Sequence, residues 1–203
     1  MLKRANRPNA GFSLIELMVT LTLVGFLLVI AIPAFGRWVA DARVRAVAES
    51  LTNALRLTQS TAVSRGRTSM FALATATPPG ITSTPTANSP NWFAALNPLA
   101  GSDETAAALG LILKSTEGTQ RNVAVSGPAL VCFNSLGRQT NLGAAATSVN
   151  TTCSAQASDT TPTTYTVSQA SATRSFNVLV YLGGRVRMCD AAKAISSNDP
   201  DGC

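Results

Sequence analysis

The chain has 203 residues, 16 Lys+Arg against 10 Asp+Glu for a formal net charge of +6, and no histidine. That length suits one ordinary domain plus a targeting or membrane segment. The missing histidine excludes Ser/His and Cys/His catalytic pairs. The four cysteines form no CxxC pair, which argues against a zinc site. Asp103, Glu104, Glu117, Asp159 and Asp190 are scattered through polar segments, with no phosphate-binding glycine loop and no metal constellation beside them. The expectation is a non-enzyme with no cofactor. Charged residues make up only 13% of the chain, and Thr, Ser and Ala are plentiful, as in an exported surface protein.

Lys3, Arg4 and Arg7 precede an apolar run over residues 12–32, FSLIELMVTLTLVGFLLVIAI. As a helix this run spans roughly 32 Å, about one hydrocarbon thickness. The basic flank places residues 1–11 in the cytoplasm and the chain after Phe35 outside. The run is too long for an ordinary secretory signal, and Pro33 and Phe35 leave no good AxA cleavage site. Glu16 is the only ionisable side chain inside it. A lone carboxylate at mid-membrane costs of order 2.5–3.5 kcal/mol, so it calls for a partner. Cleavage between Gly11 and Phe12 creates one: a new α-amino group at Phe12, four residues from Glu16.

Gly11-Phe12-Ser13-Leu14-Ile15-Glu16, with its short basic leader, resembles the class III signal of type IV pilins and type II secretion pseudopilins. Pro33 falls where many of these proteins carry a helix-kinking proline. The resemblance implies cleavage after Gly11 by a prepilin peptidase, N-methylation of Phe12, and a role for Glu16 in docking the subunit among other pilins or pseudopilins. It implies a single-pass inner-membrane protein with a periplasmic head, built into a pilus or pseudopilus of a Gram-negative bacterium. The expected fold is α+β and pilin-like, a long helix packed on an antiparallel β-sheet head. The divisions are leader 1–11, transmembrane half-helix 12–35, periplasmic half-helix 36–66 and head 67–203.

Beyond Pro33 the helical period continues, with a bend expected at the proline. Val39, Ala42, Ala46, Leu51, Ala54, Leu55, Thr58 and Ala62 form the predicted packing stripe, and Arg45 and Glu49 are one turn apart. Asp41, Arg45, Glu49, Asn53 and Arg56 take the other faces. Gly66 is the predicted stop, about 80 Å from Phe12.

Strands are predicted over 68–75, 109–114, 122–125, 129–133, 163–168, 176–182 and 185–189. Residues 76–106 and 140–162 read as long polar loops, the first pinned to the head by Trp92 and Phe93. Gly183-Gly184 makes a tight turn. Four cysteines allow three pairings. Sequence order favours Cys132–Cys153 and Cys189–Cys203, each worth about 3 kcal/mol in an oxidising compartment, with four buried thiols as the alternative.

The head resembles the FimT/GspH family of minor pilins and pseudopilins over residues 43–67, the turn Ser135-Leu136-Gly137-Arg138, and the ending from Gly184 to Asp190 with Cys203 last. Gly184-Arg185-Val186-Arg187 matches the GRxR motif associated with DNA-binding FimT proteins of natural transformation. Alternation along a strand puts Arg185 and Arg187 on one face, and guanidinium groups suit phosphate. Two arginines make a weak, salt-sensitive site, so Arg138, Arg174 or Lys193 are candidate additional contacts. Otherwise the motif is a solvated strand end with Asp190 satisfying an arginine. The two functions left open are a FimT-like minor pilin that binds DNA during uptake and a GspH-like pseudopilin with a structural role and no DNA site.

Overall fold

The computed structural model describes residues 11–99 and 101–203. The leader residues Lys3, Arg4 and Arg7 lie outside the described residues. One helix, α1 (Leu14–Arg65), opens the chain and runs through residue 33 without a break. At 1.5 Å per residue its 52 residues reach about 78 Å. Gly66 ends it with φ +61°, and the following N–H groups fold back to the carbonyls of Ala62 and Val63. That left-handed cap is cheap only for glycine, which explains why the helix stops there.

From Leu14 to Ile32 every side chain is exposed, and this stretch is long and apolar enough to cross a membrane. Further on, the helix enters the head. Its buried stripe is Ala40, Val44, Val47, Ala48, Leu51, Ala54, Leu55, Thr58 and Ala62. This corrects the first turns of the predicted stripe: Ala42 is exposed, and Val39 and Ala46 are only half-buried. The face containing Ala40, Val44, Val47 and Leu51 keeps unbroken i,i+3/i+4 spacing with the later contacts. Val39, Ala42 and Ala46 are each offset from it by about 100° or more around the axis.

Two separate antiparallel sheets pack on this helix. The first contains β1 (Ser69–Ala74), β2 (Asn91–Leu96), β3 (Leu111–Ser115) and, after the three-residue strand β4 (Ala124–Ser126) of the other sheet, β5 (Leu130–Phe133); its order is β3-β2-β1-β5. The second adds β6 (Thr163–Ser168), β7 (Phe176–Val180) and β8 (Val186–Asp190), in the order β4-β6-β7-β8. Short helices α2 (Ala106–Leu109) and α3 (Glu117–Arg121) flank β3. Phe71, Leu73, Trp92, Phe133, Tyr165, Val178 and Val180 close a common core against the helix stripe.

The predicted loop over 76–106 is corrected by β2, a central strand of the first sheet between β1 and β3. Trp92 and Phe93 are both fully buried on opposite faces: Trp92 joins the helix-side core, Phe93 a second cluster. That second cluster contains Met70, Ala72, Ala74, Leu130, Cys132 and Cys153, with Ile81, Leu142 and Val149 packed on it. The two long loops therefore cover the far side of the sheet. Residues 140–162 also hold a 3-10 turn at Ala144–Ala146 and a paired bridge between Leu142 and Cys153. Disulfides join Cys132 to Cys153 and Cys189 to Cys203.

Candidate nucleic-acid interface

β8 is the edge strand of the second sheet and lies beside α1. The turn before it is tight: the Gly184 N–H donates to Tyr181 at 2.8 Å, and the Tyr181 N–H donates to Arg185 at 3.0 Å. Gly184 has φ +92°, and a Cβ there would meet the Gly137 carbonyl oxygen. Only glycine lets the two turns, 134–138 and 181–185, touch in this way. Gln59 of α1 fastens them together. Its Nε2 donates to the Gly137 oxygen at 2.6 Å and the Gly184 oxygen at 2.8 Å. Gln139 adds a bond from its N–H to Leu182 and one from Nε2 to Val180. The backbone of Arg138 is thereby brought next to that of Arg185.

Arg185 is exposed, its guanidinium carbon 4.0 Å from the centre of the Tyr181 ring. That placement over the ring face is a cation–π contact, which uses none of the guanidinium N–H groups as hydrogen-bond donors. Arg187 is half-buried, and one Nη donates to the carbonyls of Pro200 at 3.1 Å and Gly202 at 2.7 Å. Asp190 does not take an arginine: it is buried and accepts from the Ala192 N–H at 3.0 Å.

The other named cations fall elsewhere. Arg174 sits two residues before β7, where its N–H donates to Asp41 at 3.0 Å. Asp41 is roughly 22 Å down the helix from Arg56, so Arg174 belongs to the opposite end of the sheet. Lys193 is held by Asp199 at 2.7 Å and Asp201 at 3.5 Å. The hydrogen bond that Lys193 Nζ donates to Asp199 raises the Lys193 pKa, which keeps that charge committed.

One residue at this rim is absent from the motif: Arg56. It lies exposed on α1, and its Nη2 donates to the Val186 carbonyl at 3.1 Å. Arg56, Arg185 and Arg187 line a single groove of about 590 Å³ between the helix and β8, together with Glu49, Thr52, Asn53 and Met188. Glu49 is already paired with Arg45 at 2.8 Å. Among the described residues, Arg56, Arg138, Arg185 and Arg187 make no ion pair. Helical periodicity places Arg56 on a polar flank but does not say which flank meets β8.

At the other end of the chain, Phe12 and Glu16 are exposed, and Ser13 precedes the first helical turn. Residues 6–32 match the family model of the prokaryotic N-terminal methylation motif. A search of the curated proteins returned no match. Among solved structures, the chain is similar to two crystal forms of the type IV minor pilin FimU of Pseudomonas aeruginosa PAO1. One is 16% identical with a TM-score of 0.44, covering 75% of this chain and 98% of that one. The other is 15% identical with a TM-score of 0.45, covering 76% and 93%.

Proposed function

We propose that the chain is a minor type IV pilin of the FimT kind, processed at its N-terminus, anchored in the inner membrane and binding DNA during uptake. The observation that carries the reading is the methylation motif over residues 6–32 together with the apolar start of α1, which is long enough to cross a membrane and has no buried residue from Leu14 to Ile32. A prepilin peptidase cuts between Gly11 and Phe12 and methylates Phe12. The new amine then neutralises Glu16 within the membrane, in one subunit or between neighbours. The head on the periplasmic side presents the basic rim at Gly184–Arg187. The Arg185 guanidinium, exposed and held over the Tyr181 ring, supports this reading because guanidinium N–H groups suit a phosphate.

The mature protein is expected to begin at methylated Phe12, as read by mass spectrometry of the N-terminal peptide. Mature protein still carrying Met1 would overturn the processing claim. Full-length protein in neutral detergent is expected to shift duplex DNA, with affinity falling as salt rises. Replacing both Arg185 and Arg187 by alanine is expected to weaken the shift; an unchanged shift would remove the rim from the DNA reading.

The second reading is a GspH-like pseudopilin of type II secretion with the same leader and head. The hydrogen bonds of Arg187 to Pro200 and Gly202 favour it, since they give that arginine a structural task. In that case the detergent-solubilised protein leaves duplex DNA unshifted at every salt concentration.

A further inference from the structure

The GRVR spacing treats Arg185 and Arg187 as equivalent, but their surroundings differ. Arg187 is half-buried, and one nitrogen serves two carbonyls, those of Pro200 and Gly202. Both carbonyls belong to the loop closed by the Cys189–Cys203 disulfide. The same loop touches β8 through the Asp190 N–H, which donates to Asp201 at 2.8 Å, and the bridge between Asp190 and Gly202. A guanidinium that moved out to a phosphate would abandon those carbonyls. Both hydrogen bonds would be lost in that move, and a carbonyl left buried without its donor adds a desolvation cost.

Arg56 is placed differently. It rises from the helix, is exposed, and uses one Nη2 bond on the carbonyl of Val186, the residue after Arg185, in the groove that both arginines line. Its remaining N–H groups have no protein acceptor among the described residues. The nearest carboxylate along the groove, Glu49, is occupied by Arg45.

We infer that Arg56 and Arg185 are the paired phosphate contacts of the groove, one from the helix and one from the β7–β8 turn. Arg187 is a positioning residue that latches the C-terminal disulfide loop onto β8. The ligand class is a phosphodiester backbone, read through its charge and not its bases. This division of labour rests on the DNA reading above. It adds a residue that the motif does not contain and takes a direct contact away from one that it does.

The test is a salt series on the full-length protein in neutral detergent with a duplex of mixed sequence. Each lost phosphate contact lowers the slope of log K against log salt by about 0.9. Arg56→Gln and Arg185→Gln are each expected to lower it by that amount, and Arg56→Lys to restore most of it. Arg187→Gln is expected to leave the slope unchanged while speeding amide exchange at Asp190 and Cys203, measured without DNA. If the wild type binds and Arg56→Gln shows the same slope, the assignment of Arg56 alone is overturned. A slope that falls by about 0.9 in Arg187→Gln, with amide exchange unaltered, overturns the latch. Wild-type protein that shows no salt-dependent binding removes the DNA reading itself, and this assignment with it.

Discussion

Gln59 donates from one amide nitrogen to two carbonyls that belong to turns 47 residues apart in sequence, those of Gly137 and Gly184. No pattern in the sequence announces this, because a single glutamine on a helix flank looks like any solvated residue. Gln59→Ala leaves both oxygens without that donor. We expect a loss of about 1–3 kcal/mol in denaturant unfolding. Asp41 plays a comparable part at the other end of the head. Its carboxylate accepts from the Thr173 hydroxyl at 2.6 Å and from the N–H groups of Thr173 at 2.7 Å and Arg174 at 3.0 Å. The Thr173 hydroxyl leads in holding its pKa below the usual 3.8. A lowered folded pKa stabilises the fold above the unfolded value and is lost as pH falls through the folded one. Thermal melts of Asp41→Asn should therefore trail wild type at pH 6. The gap should narrow below pH 3.8. Alternation along a strand predicts that Arg185 and Arg187 share a face, while the structure leaves Arg185 in the turn just before β8. Alternation is silent on the carbonyls that occupy one of them, since those arrive from a loop closed by a disulfide.

At the scale of elements, β2 explains why the sequence is read well in some places and badly in others. Thr163–Ser168 alternates buried and half-buried residues, and its period is plain. Asn91–Leu96 is buried on both faces from Asn91 to Ala95, so no two-residue period survives in NWFAAL. Its Pro- and Thr-rich surroundings then read as loop. The helix, by contrast, is legible to its last residue, because its 3.6-residue period and the Gly66 stop agree. Trp92→Ala opens the helix-side core and should cost about 3–5 kcal/mol, more than any loop anchor would. Removing the Cys132–Cys153 bridge, by changing both residues to serine, should cost about 3 kcal/mol. That loss should appear together with faster exchange in residues 140–155, which cover the face where Phe93 lies buried.

Across the whole molecule, the two sheets share one core with the helix stripe, the Phe71 and Tyr165 rings lying 5.8 Å apart, and among the described residues no strand ladder joins them. A chain starting at residue 36 keeps every stripe residue and should retain a cooperative circular-dichroism melt. A chain starting at residue 50 loses Ala40, Val44, Val47 and Ala48, all buried, and should melt at a markedly lower temperature or not fold. The same continuous helix sets the height of the basic rim. From Ile32, the last residue of the apolar run, to Gln59 beneath the two turns is about 40 Å along the axis. Electrostatic screening at physiological ionic strength acts over about 8 Å. On the reading proposed above, a polyanion held by Arg56 and Arg185 would sit several screening lengths clear of anionic lipid headgroups, whose repulsion would otherwise oppose its approach.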